Sequence, residues 1–338
     1  MKIAFFGTWD FSKSVLQWLY ESWLFDIALV ISQRDKPVGR KKEIIPTPVK
    51  QFALDHDIEV RQPKSLKIKP DSTWEALLKE LQSLELDFIV VVAYGKIMPI
   101  EILDVPKHWS INLHGSILPL YRWASPIQAS IKNGDKITGL TTMYMSAGMD
   151  EWDILKIEEV GIWPDENTLD IFAKFSDIWP DLMITTLQEI IAGKLQWIPQ
   201  IDDDATYCGK ISKKDGSVSF QNQSTQEIYN TYRAYTPWPG IFAEYNGKKF
   251  TIEGCELLDQ IPPISVDNSA PLIKGGDAAE WSGGTPGQVI KINKKTIGIV
   301  CADKKILQLR QVKLESKKSM DIQSFVNGNK EFLSFVFE

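Results

Sequence analysis

Apolar and polar positions follow two rhythms along this chain, and the rhythm changes once. In the first half, short β-rich apolar runs (KIAFF, DIALVIS, DFIVVVA and WSINLHG) alternate with stretches of helical spacing (FSKSVLQWLYES, TPVKQFALDHD and TWEALLKELQSL). Continuous apolar runs suit strands buried on both faces of a parallel sheet. Their order with the helices predicts an α/β, doubly wound (Rossmann-like) domain. GLTTMYM and DILKIEEV read as added strands, and TLDIFAKFSDIWPDLMITTLQEIIAGK as a helix pair or a broken helix. After about Gly193 the strand-like pieces GSVSF, GIFAEYN, KKFTIEGCELL, GQVIKIN, TIGIVCA and KILQLRQV come at short spacing. That pattern predicts a small antiparallel barrel or sandwich. The expected division is a first domain over 1–190, a linker over 191–206 and a β-rich domain over 207–338. Residues 259–286, rich in Pro, Gly, Ser and Asp, are expected to form a mobile loop in the second domain.

Composition narrows the function more than the fold. A chain of 338 residues can bury two cores, and 43% hydrophobic with 24% charged residues describes a soluble globular protein. No apolar run is long enough to span a bilayer, and the chain starts directly on a strand-like segment, so neither a membrane span nor a signal peptide is expected. Three widely spaced cysteines give neither a disulfide framework nor a zinc pattern, which fits a reducing cytoplasm. Only His56, His108 and His114 are available as imidazoles, and no metal site is expected. A net charge of −6 argues against a generic nucleic-acid coat, although the C-terminal part carries a small excess of Lys and Arg.

The first strand ends in FFGTWDF, which lacks G-x-G-x-x-G; this excludes a nicotinamide site and leaves Gly7 a tight turn. The strongest chemistry lies in INLHGSILP and MSAGMDEWD. Asn112 and His114 stand two apart at a strand end and therefore share a face. Asp150 follows another strand, in a loop of the kind that carries sites in open α/β sheets. An amide, an imidazole and a carboxylate suit attack of an amine on a carbonyl, with a base, an orienting charge and an oxyanion donor. The bland alternative also stands: a strand-end His as a structural hydrogen-bonder and an Asp as a turn former.

The ordered set GTWDF, SQRDKPVGRKKEIIPTPVK, VVVAYGKIMP, INLHGSILPLYRWASPIQ, GLTTMYMSAGMDEWDIL and RAYTPWPG resembles the methionyl-tRNA formyltransferase family. The likeness is dense to about residue 250 and looser beyond. It implies a formyltransferase domain followed by a small OB-like β-barrel, with formyl passing from 10-formyltetrahydrofolate to the α-amino group of initiator methionyl-tRNA. It implies Asn112, His114 and Asp150 as the catalytic trio. It implies that Ser116, Ile117, Leu118 and Pro119 lie beside the folate, with backbone around Val92, Ala93 and Tyr94 lining the pterin pocket. The apolar members have an equally good reading as packing. The basic, irregular stretch with Arg34, Lys36, Arg40, Lys41 and Lys42 is implied to enter the acceptor end of the tRNA, with Arg40 in the family's key arginine position. Lysines of the C-terminal domain read equally as a backbone-tracking face or as scattered surface charge. A cytoplasmic monomer without metal is expected. HGSxLP with a later G-x-D is shared by formyltransferases of other amines. A nucleotide-linked amino-sugar formyltransferase is therefore one rival, and a non-catalytic folate- or RNA-binding relative is another. The basic insertion argues against the first and the intact trio against the second.

Twelve tryptophans are several times the usual share, and their places are odd. The family pattern has Gly where this chain has Trp109, Trp123, Trp152 and Trp179, and Trp23 sits where a helix C-cap glycine is natural. Trp238 in TPWPG matches the family as Trp. Turn glycines often need φ > 0, which is costly for a bulky side chain. Three readings compete: tryptophan that has remodelled the pocket for a different acceptor, a decayed formyltransferase, and a natural glycine, the codon UGA being read as glycine in the source and as tryptophan in the written chain. The cost of tryptophan in such turns and the intact trio favour the third. Expression with Trp at 109, 123 and 152 is expected to give a poorly folded or inactive product.

Overall fold

The computed structural model describes residues 1–38, 42–66, 74–146, 148–258, 284–293 and 296–338. Most of the stretch 259–286 expected as a mobile loop therefore lies outside the described residues. Contacts divide the chain into two units: 1–127, 136–162 and 170–210 form the first, and 128–135, 163–169 and 211–338 the second. The stretch 191–206, expected as a linker, clusters with the first unit.

The chain opens with Lys2–Gly7 (β1), Asp10–Glu21 (α1) and Asp26–Ile31 (β2). A hairpin of Lys36–Val38 (β3) and Glu43–Ile45 (β4) follows, then Pro48–Asp55 (α2), Val60–Arg61 (β5) and Trp74–Ser83 (α3). Next come Phe88–Val92 (β6), Ile100–Leu103 (α4), Ser110–His114 (β7), Arg122–Trp123 (β8) and Pro126–Asn133 (α5). Ile137–Tyr144 (β9), Ile154–Gly161 (β10), Thr168–Ile191 (α6) and Tyr207–Cys208 (β11) complete this part. The main sheet runs β10-β9-β7-β6-β1-β2-β5. From β7 to β5 neighbours are parallel, whereas β9 and β10 are antiparallel additions at one edge. Every residue of β6 is buried, as its unbroken FIVVV predicts. Gly7 closes β1, with two residues before α1 begins. A Cβ there would lie 2.6 Å from the Phe5 ring and 2.7 Å from Ser12 Cβ, so its absence lets α1 approach the sheet.

α6 is one helix of 24 residues, although Pro180 lies inside it. Ile171, Phe175, Trp179, Met183 and Leu187 recur every four residues and are all buried. That apolar stripe outweighs the hydrogen bond that proline removes. The Trp18 and Trp179 rings meet edge to face at 6.1 Å.

In the second unit, Thr225–Tyr235 (α7), Ile241–Tyr245 (β12), Lys248–Leu257 (β13), Val289–Lys291 (β14), Ile297–Val300 (β15), Ile306–Leu314 (β16), Met320–Asp321 (β17) and Ile322–Gly328 (α8) follow in order. The antiparallel order β12-β13-β16-β15-β14, with β17 on β16, curls as a half-barrel around Phe220, Phe250, Phe325, Phe332 and Phe337. GSVSF is not a strand: it makes one bridge, Ser217 to Phe242, while Val218 and Phe220 fill the core. α7 starts at a capping box in which Ser224 and Glu227 satisfy each other's main-chain N–H.

The five unusual tryptophans divide by backbone. Trp23, Trp109 and Trp123 have φ of 58°, 85° and 88°, in the left-handed region. Trp23 directly follows the C-cap of α1, where glycine is the usual residue. These residues are 86%, 47% and 43% exposed, and each ring meets one neighbouring tyrosine ring (Tyr20, Tyr144 and Tyr207 in turn), which offsets only part of the strain. Trp152 and Trp179 are outside that region. Trp179 is 1% exposed, and its indole N–H has no partner among the described residues. W23G, W109G and W123G are each expected to raise stability by about 1 kcal/mol in urea denaturation. W179G is expected to lower it by about 3–5 kcal/mol, because a cavity replaces a buried ring. A lower urea midpoint for W123G would contradict the strain at that turn.

Candidate functional site

The carboxyl ends of the parallel strands gather the expected trio. β7 pairs with β6 so that Val91 faces Asn112 and Val92 faces Leu113, and the chain leaves both strands at the same edge. Asn112 and His114 stand at this end of β7, and Asp150 lies in the loop between β9 and β10. Asn112 Nδ2 donates to Asp150 Oδ1 at 3.2 Å, and the Trp123 amide donates to Asp150 Oδ2 at 3.0 Å. His114 is buried, with Nε2 2.9 Å from the Tyr121 carbonyl and Nδ1 3.6 Å from Asp150 Oδ2. A carbonyl only accepts, so Nε2 carries the hydrogen and Nδ1 of the neutral ring presents a lone pair. At 3.6 Å the carboxylate is past hydrogen-bond range but close enough to face a proton arriving at Nδ1. Asn112 keeps a second amide hydrogen for another acceptor.

Three consecutive residues, 121 to 123, support this arrangement. Tyr121 supplies its carbonyl to His114, and Trp123 its N–H to Asp150. Between them the Arg122 side chain is 1% exposed; it donates to Gln200 Oε1 from Nε at 3.1 Å and from Nη2 at 2.9 Å. Arg122 Nη1 also pairs with Asp202 Oδ1 at 2.9 Å. The stretch is zipped to residues 206–208: Tyr121 N donates to Thr206 Oγ1, Arg122 N to Thr206 O and Ala124 N to Cys208 O. Burial pushes the Cys208 thiol up from its ordinary range. Tyr121 and Asp150 both have positive φ, at 57° and 58°. Arg122 and Gln200 were not singled out by the sequence, although the LYRWASPI stretch contains the arginine.

The residues expected beside the folate fall into two sorts. Ser116 is fully buried; its hydroxyl donates to Leu120 O at 2.6 Å, and its carbonyl accepts from Thr141 Oγ1 at 2.6 Å. Leu118 is buried with Met143 and Ile154, whereas Ile117 and Pro119 are half-buried. Val92 closes β6, and its carbonyl accepts from Ser12 Oγ at 2.7 Å. Ala93 is exposed with φ of 44°, and Tyr94 is buried against Phe6. Burial pushes the Tyr94 phenol well up, and its hydroxyl has no partner among the described residues.

The basic stretch becomes the β3–β4 hairpin. Arg34, Lys36 and Lys42 are exposed there, while Arg40 and Lys41 lie outside the described residues. The hairpin is tied at its base. Asp35 accepts from Lys50 Nζ at 2.6 Å and from Gln62 Nε2 at 2.7 Å, and Gln62 also donates to Gln33 O at 2.6 Å. Burial works against the charge on Asp35, but the hydrogen bonds from Lys50 and Gln62 hold its carboxyl below the usual range. Lys96, which the sequence did not single out, joins the positive field. Its ammonium is pushed down by burial first and then by the charges of Lys36 and Arg34. Among the described residues no helix is long and apolar enough to cross a membrane, and no group of His, Cys, Asp and Glu could hold a metal ion.

Residues 1–187 match the family model described as formyl transferase, and residues 210–330 match its C-terminal domain. A methionyl-tRNA formyltransferase of Lachnospira eligens is 35% identical over 329 residues, with 97% of each chain covered. The chain belongs to the methionyl-tRNA formyltransferase family. A second relative of that name, from Caldicellulosiruptor saccharolyticus, is 38% identical over 330 residues, covering 98% of this chain and 97% of its own. A solved N-formyltransferase of Helicobacter canadensis, in complex with folinic acid and dTDP-3-aminofucose, shares the fold. Its TM-score is 0.62 at 16% identity, over 91% of this chain and 98% of that one. For a family member, the described site places Thr141 in a structural role that its sequence did not announce. Its hydroxyl donates to Ser116 O and accepts from Leu118 N at 3.2 Å, holding the turn that follows His114. T141V leaves both main-chain groups buried without a partner. It is expected to lower stability by about 1–3 kcal/mol, read from the urea midpoint.

Proposed function

We infer that this protein transfers the formyl group of 10-formyltetrahydrofolate to the α-amino group of methionyl-initiator tRNA, giving N-formylmethionyl-tRNA for translation initiation. End-to-end identity with methionyl-tRNA formyltransferases supports the acceptor. The observation that carries the chemistry is the meeting of Asn112, His114 and Asp150 at the edge where β6 and β7 end. The backbone at 92–94 and the turn at 116–119 leave adjacent strands, which suits a flat ring held between main-chain groups. When bound, 10-formyltetrahydrofolate supplies a carbonyl carbon whose bond to N10 breaks as the bond to the methionyl nitrogen forms.

His114 Nδ1 accepts the proton that the attacking amine loses, and the Asp150 carboxylate faces the imidazolium that results. The second hydrogen of Asn112 Nδ2 donates to the formyl oxygen as negative charge gathers on it. His114 can then return its proton to N10 of the departing tetrahydrofolate, so the cycle closes without any other acid. Arg34, Lys36, Arg40, Lys41 and Lys42 contact the acceptor end of the tRNA, with Lys96 reinforcing the field beside Lys36 and Arg34. This reading carries with it a cytoplasmic, monomeric protein.

N112A, H114A and D150A are each expected to lower kcat for formylation of methionyl-tRNA by about 10²-fold to 10⁴-fold. The check is a formylation assay of each purified variant beside its parent; an H114A variant of undiminished kcat would remove the base assigned here. Binding of tRNA is expected to weaken with salt. R34A/K36A/K42A should flatten the log–log salt slope by about 0.7–0.9 for each phosphate that is no longer neutralised, measured by filter binding across a salt series.

A further inference from the structure

We propose that Gln200 is a positioning residue for formyl transfer, locking the Asp150 loop through that loop's main-chain carbonyls while Arg122 locks Gln200. The proposal rests on the formyltransferase reading and extends it to a residue outside the trio. Asp150 is held at φ of 58°, a conformation that a non-glycine residue keeps only where its surroundings impose it. The loop around it is largely exposed: Gly148, Met149, Glu151 and Trp152 all face solvent. Packing on the loop is slight: the Trp152 ring meets that of Trp109 at 6.2 Å.

Gln200 supplies the missing constraint. Its Nε2 donates to the Asp150 carbonyl at 3.0 Å and to the Trp152 carbonyl at 2.5 Å, which uses both amide hydrogens on the two sides of Glu151. Its Oε1 accepts from two nitrogens of the Arg122 guanidinium. Arg122 can only donate and the two carbonyls can only accept, so the amide has one possible orientation. The guanidinium is in turn balanced by Asp202, and its Nη1 also donates to the Tyr207 hydroxyl at 3.4 Å. The chain Asp202–Arg122–Gln200 thus ends on the peptide groups that aim the Asp150 carboxylate at Asn112 and His114. Two of these partners are the main chain of residues 150 and 152, so the device does not depend on whether residue 152 is Trp or Gly.

Such a role differs from simple support in what it changes. A loosened Asp150 leaves substrates bound but misaligned, and a displacement of about 1 Å can cost on the order of 100-fold in rate. Q200E is the discriminating variant. It keeps the shape and the oxygen facing Arg122, yet has no hydrogen to give either carbonyl. Steady-state formylation of methionyl-tRNA is measured for Q200E, Q200A and H114A, both in the chain as written and in the chain carrying W23G, W109G, W123G and W152G. The expected result is a fall in kcat of about 10-fold to 100-fold for Q200E, with KM for tRNA and folate within about threefold and a melting temperature close to its parent. Q200A should lose at least as much kcat. A Q200E variant with kcat within about twofold of its parent overturns the proposal, as does a loss confined to KM or explained by a lowered melting temperature. If both parents fail to transfer formyl, the reading beneath it falls first, and the proposal with it.

Discussion

One carboxylate joins the segments on which the site depends. Asp150 accepts from Asn112 at the end of β7 and from the main chain at residue 123, and it faces His114 across 3.6 Å. Those interactions join three stretches of chain: the end of β7, residue 123 and the loop between β9 and β10. The carboxylate keeps its charge partly exposed and hydrogen-bonded, which avoids the penalty of a buried unpaired ion. Its left-handed backbone, at φ of 58°, accompanies this arrangement.

Much of the first unit is legible in the sequence because its strands are buried on both faces and their apolar runs are unbroken. That Asn112, His114 and Asp150 meet is anticipated by their places at strand ends, whereas their assignment as a catalytic trio comes from the family resemblance and not from chemistry alone. The rest depends on interactions that leave no periodic trace. Gln200 is one polar residue in an irregular stretch that reads as a linker, and its value lies in two carbonyls fifty and forty-eight positions away. Thr141 is one of three threonines in β9, and only the fold shows which of them meets the turn after His114. The start of α7 is signalled by the spacing of Ser224 and Glu227. α6 reads as interrupted when local propensity is weighed above the stripe of side chains that spans its proline. GSVSF has the alternation of a strand, but only one residue of it finds a bridge.

The shared fold and the shared chemistry say little about which amine is formylated. The N-formyltransferase solved with dTDP-3-aminofucose is covered almost end to end at 16% identity, so the fold by itself names no acceptor. Nothing in an amide, an imidazole and a carboxylate distinguishes one primary amine from another. Discrimination must come from parts that touch the rest of the acceptor. In the function proposed above that part is the β3–β4 hairpin, whose exposed cations stand on a base tied by Asp35, Lys50 and Gln62. An irregular basic loop without such an anchor would lose more entropy on meeting a phosphate backbone.

Residues 121 and 123 serve His114 and Asp150 through peptide groups alone. Side-chain replacement at either position leaves the hydrogen bond chemically available, provided the backbone can still adopt its left-handed turn. Alanine scanning would therefore leave these two main-chain groups in place and would not report what they do. What selection can act on here is conformational latitude rather than functional-group identity. A catalogue of indispensable side chains would omit part of the apparatus, and only substitutions that alter the peptide itself, such as backbone ester replacement, would bring it into view.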